Sequence, residues 1–292
     1  MTQERKAELY FLAGAVLWGL FPVITVLSLK TLSPIVSLAV SSLFASLFFA
    51  ALITIRSRWS ESRTVSAMKD IVWITLIMGI GFYGLTFFAL KYTSPGNVAI
   101  IALLEIFWSY MFFNVWLKEY IPRTHVCGAV FMALGASVVL YPTASHPQLG
   151  DLIILLAAMV PPIGNFLTRR ARTIVSSETI MFWRSSMAGM ALLLGAFIFE
   201  TNPLQGMFDR SVLMLLVING VFLLGLSKIF WIEGMRFVNV AKGNALSAIA
   251  PAFTLLFAYM FLNESATTWQ LFALLPIAIG IYLLSRNHTS PV

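Results

Sequence analysis

The chain has 292 residues, of which 59% are hydrophobic and 11% charged, with a mean hydropathy of +0.88. Soluble domains average roughly 45–50% apolar and about 25% charged, so an ordinary water-soluble fold is excluded. The formal charge of +7 comes from cations at the ends of apolar runs, with no basic cluster interleaved with aromatics, which argues against a nucleic-acid partner.

Ten apolar stretches are long enough to cross a hydrocarbon core of roughly 30 Å. In chain order they are Leu9 to Leu29, Pro34 to Ile55, Asp70 to Leu90, Pro95 to Leu117, Val126 to Tyr141, Leu149 to Leu167, Thr179 to Phe199, Ser211 to Gly234, Val240 to Leu262 and Thr267 to Leu284. Turn-forming sequences such as Thr93-Ser94-Pro95-Gly96, Tyr141-Pro142 and Thr201-Asn202-Pro203 separate them, as expected of helix ends. The polar stretch Arg56 to Lys69 reads either as an interfacial helix anchored by Trp59 or as a plain loop. The polar N-terminus, Met1 to Glu8, precedes a run without a small-residue cleavage site, so no cleaved signal peptide is expected.

Placing the N-terminus in the cytoplasm puts thirteen cations inside, from Arg5, Lys6, Arg56 and Arg58 through Arg169, Arg170, Arg172, Arg236 and Arg286, against Lys30, Lys91 and Arg210 outside. This positive-inside bias predicts both termini cytoplasmic and an even number of crossings. Cys127 is the single cysteine, which excludes an intramolecular disulfide and a cysteine-cluster metal site. No cofactor is expected.

Shifting the chain by about 145 residues aligns Lys91 with Arg236, Phe112 with Phe257, Leu117 with Leu262, Glu119 with Glu264 and Gly135 with Gly280. Halves at 1–145 and 146–292 then hold five helices each. Because five is odd, the second half enters the membrane the other way round, and a two-fold axis in the membrane plane relates the two. The expected fold is all-α and integral to the membrane, ten transmembrane helices in two inverted repeats, with a substrate cavity between them.

Ala89-Leu-Lys-Tyr-Thr-Ser-Pro-Gly-Asn-Val-Ala99 followed by Lys118-Glu119, and its second copy Ala248-Ile-Ala-Pro251-Ala-Phe followed by Leu262-Asn-Glu264, resemble the fourth-helix pattern of the drug/metabolite transporter superfamily, EamA type. Trp18-Gly19 in the first helix is similar to that family's opening. The resemblance covers essentially the whole chain and implies ten helices as two inverted five-helix repeats in a bacterial inner membrane. It also implies export of amino acids or other metabolites, with bacterial aromatic amino acid exporters the most similar subgroup. The chain departs from the pattern at Glu105-Ile106, opposite Ala250-Pro251, and at Ser42, where an arginine is usual.

Glu105 lies amid the apolar run Pro95 to Leu117. A charge at the bilayer centre costs from about 3 kcal/mol upward, so such a residue marks a functional site by default. Ile101, Glu105, Trp108 and Phe112 share one helical face, which should point inward. Lys228 is flanked by Leu226 and Phe230 and is equivalent to Tyr83 under the repeat, placing an ammonium and a phenol on facing helices. The alternative for Tyr83 is packing among Gly79, Gly81 and Gly84. Arg184 lies about 9 Å into the seventh span, where it either snorkels or lines the cavity, and Lys242 is near enough to an end to snorkel.

Gly19 to Pro22 and Pro161, Pro162 and Gly164 are expected to interrupt the first and sixth spans, with Trp18 and Asn165 beside the opening; packing bends are the alternative. The candidate binding set is Trp18, Tyr83, Glu105, Trp108, Asn165, Arg184 and Lys228. Glu105 is a candidate for a coupling-proton site, a fixed charge for a substrate ammonium, or a structural ion pair with Lys228.

Cations, a carboxylate and flat rings suit an amino-acid-like zwitterion with a hydrophobic side chain. A carrier of lipophilic or cationic drugs or other metabolites is the alternative. An intramembrane enzyme is disfavoured because His125, His146 and His288 sit at span ends or in tails, and no pore loop or charged ring suggests a channel. Gly128, Gly135 and Gly280 serve either a homodimer or intrachain packing, so monomer and homodimer both stay open.

Overall fold

The computed structural model describes residues 3–112, 123–141, 148–234, 237, 243 and 246–285. Lys118, Glu119, Arg236, Lys242, His146 and His288 lie outside the described residues, as does the side chain of His125. Six helices are long and apolar enough to cross a membrane: α1 (Gln3–Leu29), α2 (Pro34–Ile55), α3 (Val65–Tyr92), α6 (Leu149–Ala171), α7 (Ser177–Phe199) and α8 (Arg210–Gly234). Shorter apolar helices occupy four further expected spans: α4 (Pro95–Met111), α5 (Arg123–Leu140), α9 (Ala250–Leu262) and α10 (Thr268–Ser285).

Helix starts follow local chemistry. Ser33, Ser94 and Ser176 cap α2, α4 and α7 by accepting from the amides of Val36, Asn97 and Thr179. Pro34 and Pro95 take the first helical turn, where a missing N–H costs nothing. Asn263 ends α9 in the left-handed conformation, φ 57°, with its N–H returned to the Ala258 carbonyl.

Winding departs from the regular α-helix at several places. Thr75–Phe82 in α3 and Ile218–Leu226 in α8 wind as π-helix, at nearly equivalent places under the 145-residue shift. Tyr83 and Ser227 resume the α-helix immediately after these wide segments, and Lys228 follows. In α4 the winding tightens at Leu103, where Leu103 and Ile106 donate to the carbonyls of Ile100 and Leu103, two residues before Glu105.

The expected interruptions are found in one of the two places. α6 divides into Leu149–Ala157 and Pro161–Ala171. α1, in contrast, runs unbroken through Pro22. Proline removes a single intrahelical bond there, the one to the carbonyl of Trp18, while the Thr254 hydroxyl donates to the neighbouring Gly19 carbonyl at 2.8 Å. The stretch after α2 is a short 3-10 turn, Trp59–Arg63, leading into α3. Trp59 is exposed, its indole N–H donating to Thr54 and its ring edge-on to Phe182 at 5.5 Å.

α2 packs along α7 and α5 along α10. α1 lies against α8 and α9, and α6 lies against α3 and α4. Gly280 lets α5 and α10 meet backbone to backbone, because a Cβ there would lie 2.8 Å from the Gly128 carbonyl oxygen. Gly135 packs against Ile277 on the same seam, so these glycines serve intrachain packing. The largest buried cluster joins Phe21, Tyr83, Phe87, Ile100, Ile101, Met132, Ile154, Leu223 and Ile277.

Candidate functional site

Inside this apolar bundle, α1, α3, α7 and α8 bring two cations onto one group of rings. The Trp18 indole lies flat on Phe21, with centroids 4.8 Å apart and planes 1° apart. Tyr83 meets both rings edge-on, at 6.4 Å from Trp18 and 6.2 Å from Phe21. The Lys228 ammonium sits 3.6 Å above the centre of the Trp18 ring, and the Arg184 guanidinium lies over the Tyr83 ring at 5.5 Å. A continuous row therefore runs Lys228, Trp18, Tyr83, Arg184.

Ring faces carry negative quadrupole density, so they hold cations without a full countercharge. Among the described residues, neither Lys228 nor Arg184 makes an ion pair. Arg184 is only 5% exposed, so its side chain is held inside the bundle. Gly79, in the π segment of α3, gives it room: a Cβ there would lie 3.4 Å from the Arg184 Cγ.

Glu105 on α4 is half-buried and feels the charge of Lys228, without a direct ion pair among the described residues. One turn on, Trp108 presents a buried indole N–H that has no hydrogen-bond partner among the described residues. Ile101 is fully buried on this face, and Phe112 reaches α6 through Phe166 at 6.3 Å. Asn165 stands apart. It is exposed on α6, while its neighbours Pro161, Pro162 and Gly164 are buried, Gly164 against Met78 of α3.

Sequence reasoning missed several polar groups. Asn219, in the π segment of α8, donates to the Thr25 hydroxyl of α1 at 3.1 Å, both residues fully buried; a lone amide within an apolar run was the available signal. Phe21 had no signal beyond its aromaticity.

Polar networks close the bundle at its two ends. At one end Arg56 pairs with Glu178 and, at 3.2 Å, with Glu233, while Arg58 reaches Glu178 at 3.9 Å. Glu61 accepts from the Ser176 amide at 2.7 Å and the Thr179 hydroxyl at 3.1 Å, and Arg170 pairs with Asp70. Burial pushes the Glu61 carboxyl up, but hydrogen bonds from Ser176 and Thr179 and the charge of Arg58 outweigh this and hold it below its ordinary value. A cavity of about 190 Å³ opens beside this network, lined by Arg58, Arg172, Ser176, Glu178 and Ile232. At the other end Asp151 accepts from Thr93 and, at 3.1 Å, from Asn97, whose side-chain oxygen accepts from Gln270 at 2.8 Å. Apart from the Arg58–Glu61 contact, each of these bonds joins a residue before 142 to one after 147.

A bundle of apolar helices that holds two cations and a carboxylate among aromatic rings fits the family comparison. The model of the EamA-like transporter family matches the chain twice, over residues 5–141 and 148–286. The chain belongs to the EamA-like transporter family. It is a multi-pass membrane protein of a family of transporters rather than enzymes. It is 22% identical over 220 residues to the uncharacterized transporter YoaV of Bacillus subtilis, covering 74% of this chain and 75% of that one. It is 20% identical over 210 residues to the uncharacterized transporter sll1164 of Synechocystis, covering 68% of this chain and 60% of that one. A crystal structure of a protein 20% identical in sequence superposes with a TM-score of 0.69 over 95% of each chain, which shows a shared fold.

Proposed function

We propose that this transporter is a secondary carrier that exports small metabolites, chiefly amino acids including aromatic ones, across a bacterial inner membrane. The observation that carries this reading is the row Lys228, Trp18, Tyr83 and Arg184, with Glu105 in electrostatic reach of Lys228. A substrate carboxylate pairs with a cation of the row, its ammonium with Glu105, and its ring with the aromatic faces. The Trp108 indole N–H is a further donor on the Glu105 face. Glu105 also stands as the candidate carrier of a coupling proton. The Lys228 and Arg184 charges disfavour cationic drugs, which would be repelled.

The ten helices form two inverted five-helix repeats, with both termini cytoplasmic. Several features support this. The π segments of α3 and α8 correspond, the family model matches each half, and exchanging α1–α5 with α6–α10 carries α1 on α8 into α6 on α3. α1 begins near the Arg56 end, where Phe11 meets Trp231, whereas α6 begins near the other end, where Asp151 meets Thr93. Transport proceeds by rocking one bundle against the other about the central row, so the two end networks break alternately.

Replacing Lys228 by Ala and Glu105 by Gln tests the assignment in an export assay. Loss of amino acid export in both variants at normal expression is expected, and unchanged export in both would sink it.

A further inference from the structure

The Lys228 ammonium lies 3.6 Å above Trp18, closer than any other cation to a ring among the described residues, and it makes no hydrogen bond or ion pair among them. Phe21 lies parallel to that indole, with centroids 4.8 Å apart. The Trp18 ring is therefore already engaged by the protein itself, by a parallel ring and by a charge above it. Lys228 lies in the first turn after the π segment Ile218–Leu226, on a four-carbon stem able to swing its ammonium without moving the helix.

We propose that Lys228 is the specificity filter of the central site: it occupies the Trp18 face in the empty carrier and leaves it only for a substrate that brings its own carboxylate. This rests on the amino acid reading above and adds the rule by which the site rejects everything else of similar shape. An aromatic amine without a carboxylate meets an ammonium already on the indole face and is repelled by it. The corresponding amino acid offers Lys228 a full negative charge, which a desolvated ammonium prefers to a ring quadrupole. Lys228 then moves to the carboxylate, and the freed indole takes the substrate ring or ammonium. Glu105 is the carboxylate that would meet a substrate ammonium in either case. Arg184 does not substitute for Lys228 in this role, because it is packed over Tyr83 and against Gly79, one ring further along the row.

The consequence is an exchange of selectivity. Removing the Lys228 charge removes the partner for a carboxylate and uncovers the indole for an organic cation. The full chain, purified and reconstituted in proteoliposomes, is tested by counterflow with L-phenylalanine and with phenethylamine, which differ by the carboxylate alone. Wild type is expected to favour phenylalanine by at least about tenfold in exchange rate, and Lys228→Met to invert the preference by a similar factor. Lys228→Gln, a second neutral variant of different bulk, should behave like Lys228→Met, and thermal unfolding at the wild-type temperature certifies that either is folded.

Neutral variants that are folded and gain no phenethylamine exchange overturn the filter, as does a wild type that exchanges the amine as readily as the amino acid. A wild type that exchanges no amino acid refutes the functional reading on which this rests. Gain of amine exchange on neutralising Lys228 would support the filter even then, because that gain does not depend on the amino acid arm.

Discussion

Arg56 lies after the end of α2 and holds Glu178 of α7 and Glu233 of α8 together. The Glu178 side chain is only 5% exposed, so Arg56→Ala would leave a nearly buried carboxylate facing Arg58 alone, at 3.9 Å. Removing one partner from a fully buried pair costs about 3–5 kcal/mol, and an exposed pair contributes about 0.2–1 kcal/mol. The Arg56 side chain is 30% exposed, which places the expected loss between these limits, at about 2 kcal/mol. Unfolding of a chain this long shifts by roughly 2 °C per kcal/mol, so Arg56→Ala should lower the melting temperature in mild detergent by about 4 °C. The double variant Arg56→Ala, Glu178→Ala removes the stranded charge together with its partner. It should melt within about 1 °C of Arg56→Ala alone, and because Glu178→Ala alone should cost about as much as Arg56→Ala, that is a coupling of more than about 1 kcal/mol in the double-mutant cycle. Strictly additive losses, or no loss in the single variant, would refute the picture of a load shared across this end of the bundle.

Other consequences are equally direct. Gly280→Leu places a side chain where a Cβ already meets the Gly128 carbonyl oxygen at 2.8 Å, so α5 and α10 must separate; an expected cost of about 1–3 kcal/mol should appear as a lower melting temperature. Unchanged melting would show that the seam is looser than described. Thr25→Val leaves the buried Asn219 amide without its acceptor, and a loss of about 1 kcal/mol is expected on thermal unfolding, with no change counting against that bond. Because the folded Glu61 carboxyl titrates below its ordinary value of 4.5, its contribution is present at neutral pH and lost as pH falls through the lower folded value. The melting difference between wild type and Glu61→Gln should therefore hold from neutral pH down to about 4.5 and shrink below it; a constant difference would contradict the bonds from Ser176 and Thr179.

Most of this architecture could be read from apolar run length and turn chemistry. Ser33-Pro34 and Ser94-Pro95 start helices where the sequence places them, because a serine cap and an N1 proline act locally. Lys228 and Arg184 were visible because charges inside apolar runs are rare, and the 145-residue shift singled out Tyr83. That their charges rest on ring faces was not visible, since which ring lies under which cation depends on helix rotation and long-range packing. The π segments were hidden for a related reason: a change of hydrogen-bond register leaves little trace in residue type beyond the glycines at 79, 81, 220 and 225. The break at Leu103 carries no proline or glycine at all. Conversely, Pro22 looked like an interruption, yet one lost bond does not break a helix that Gly19 packs closely against Phe253. The end networks escaped because Asp70, Asp151 and Glu178 lie near helix ends, where carboxylates are commonplace, and their partners are far away in sequence.

Counterflow in proteoliposomes loaded with unlabelled aromatic amino acids, at neutral and mildly acidic pH, tests the central claim most directly. Saturable exchange by wild type, abolished or uncoupled from pH in Glu105→Gln, is the result predicted for a carrier whose substrate meets the Lys228, Trp18, Tyr83 and Arg184 row. Active protein that exchanges no amino acid would contradict that account.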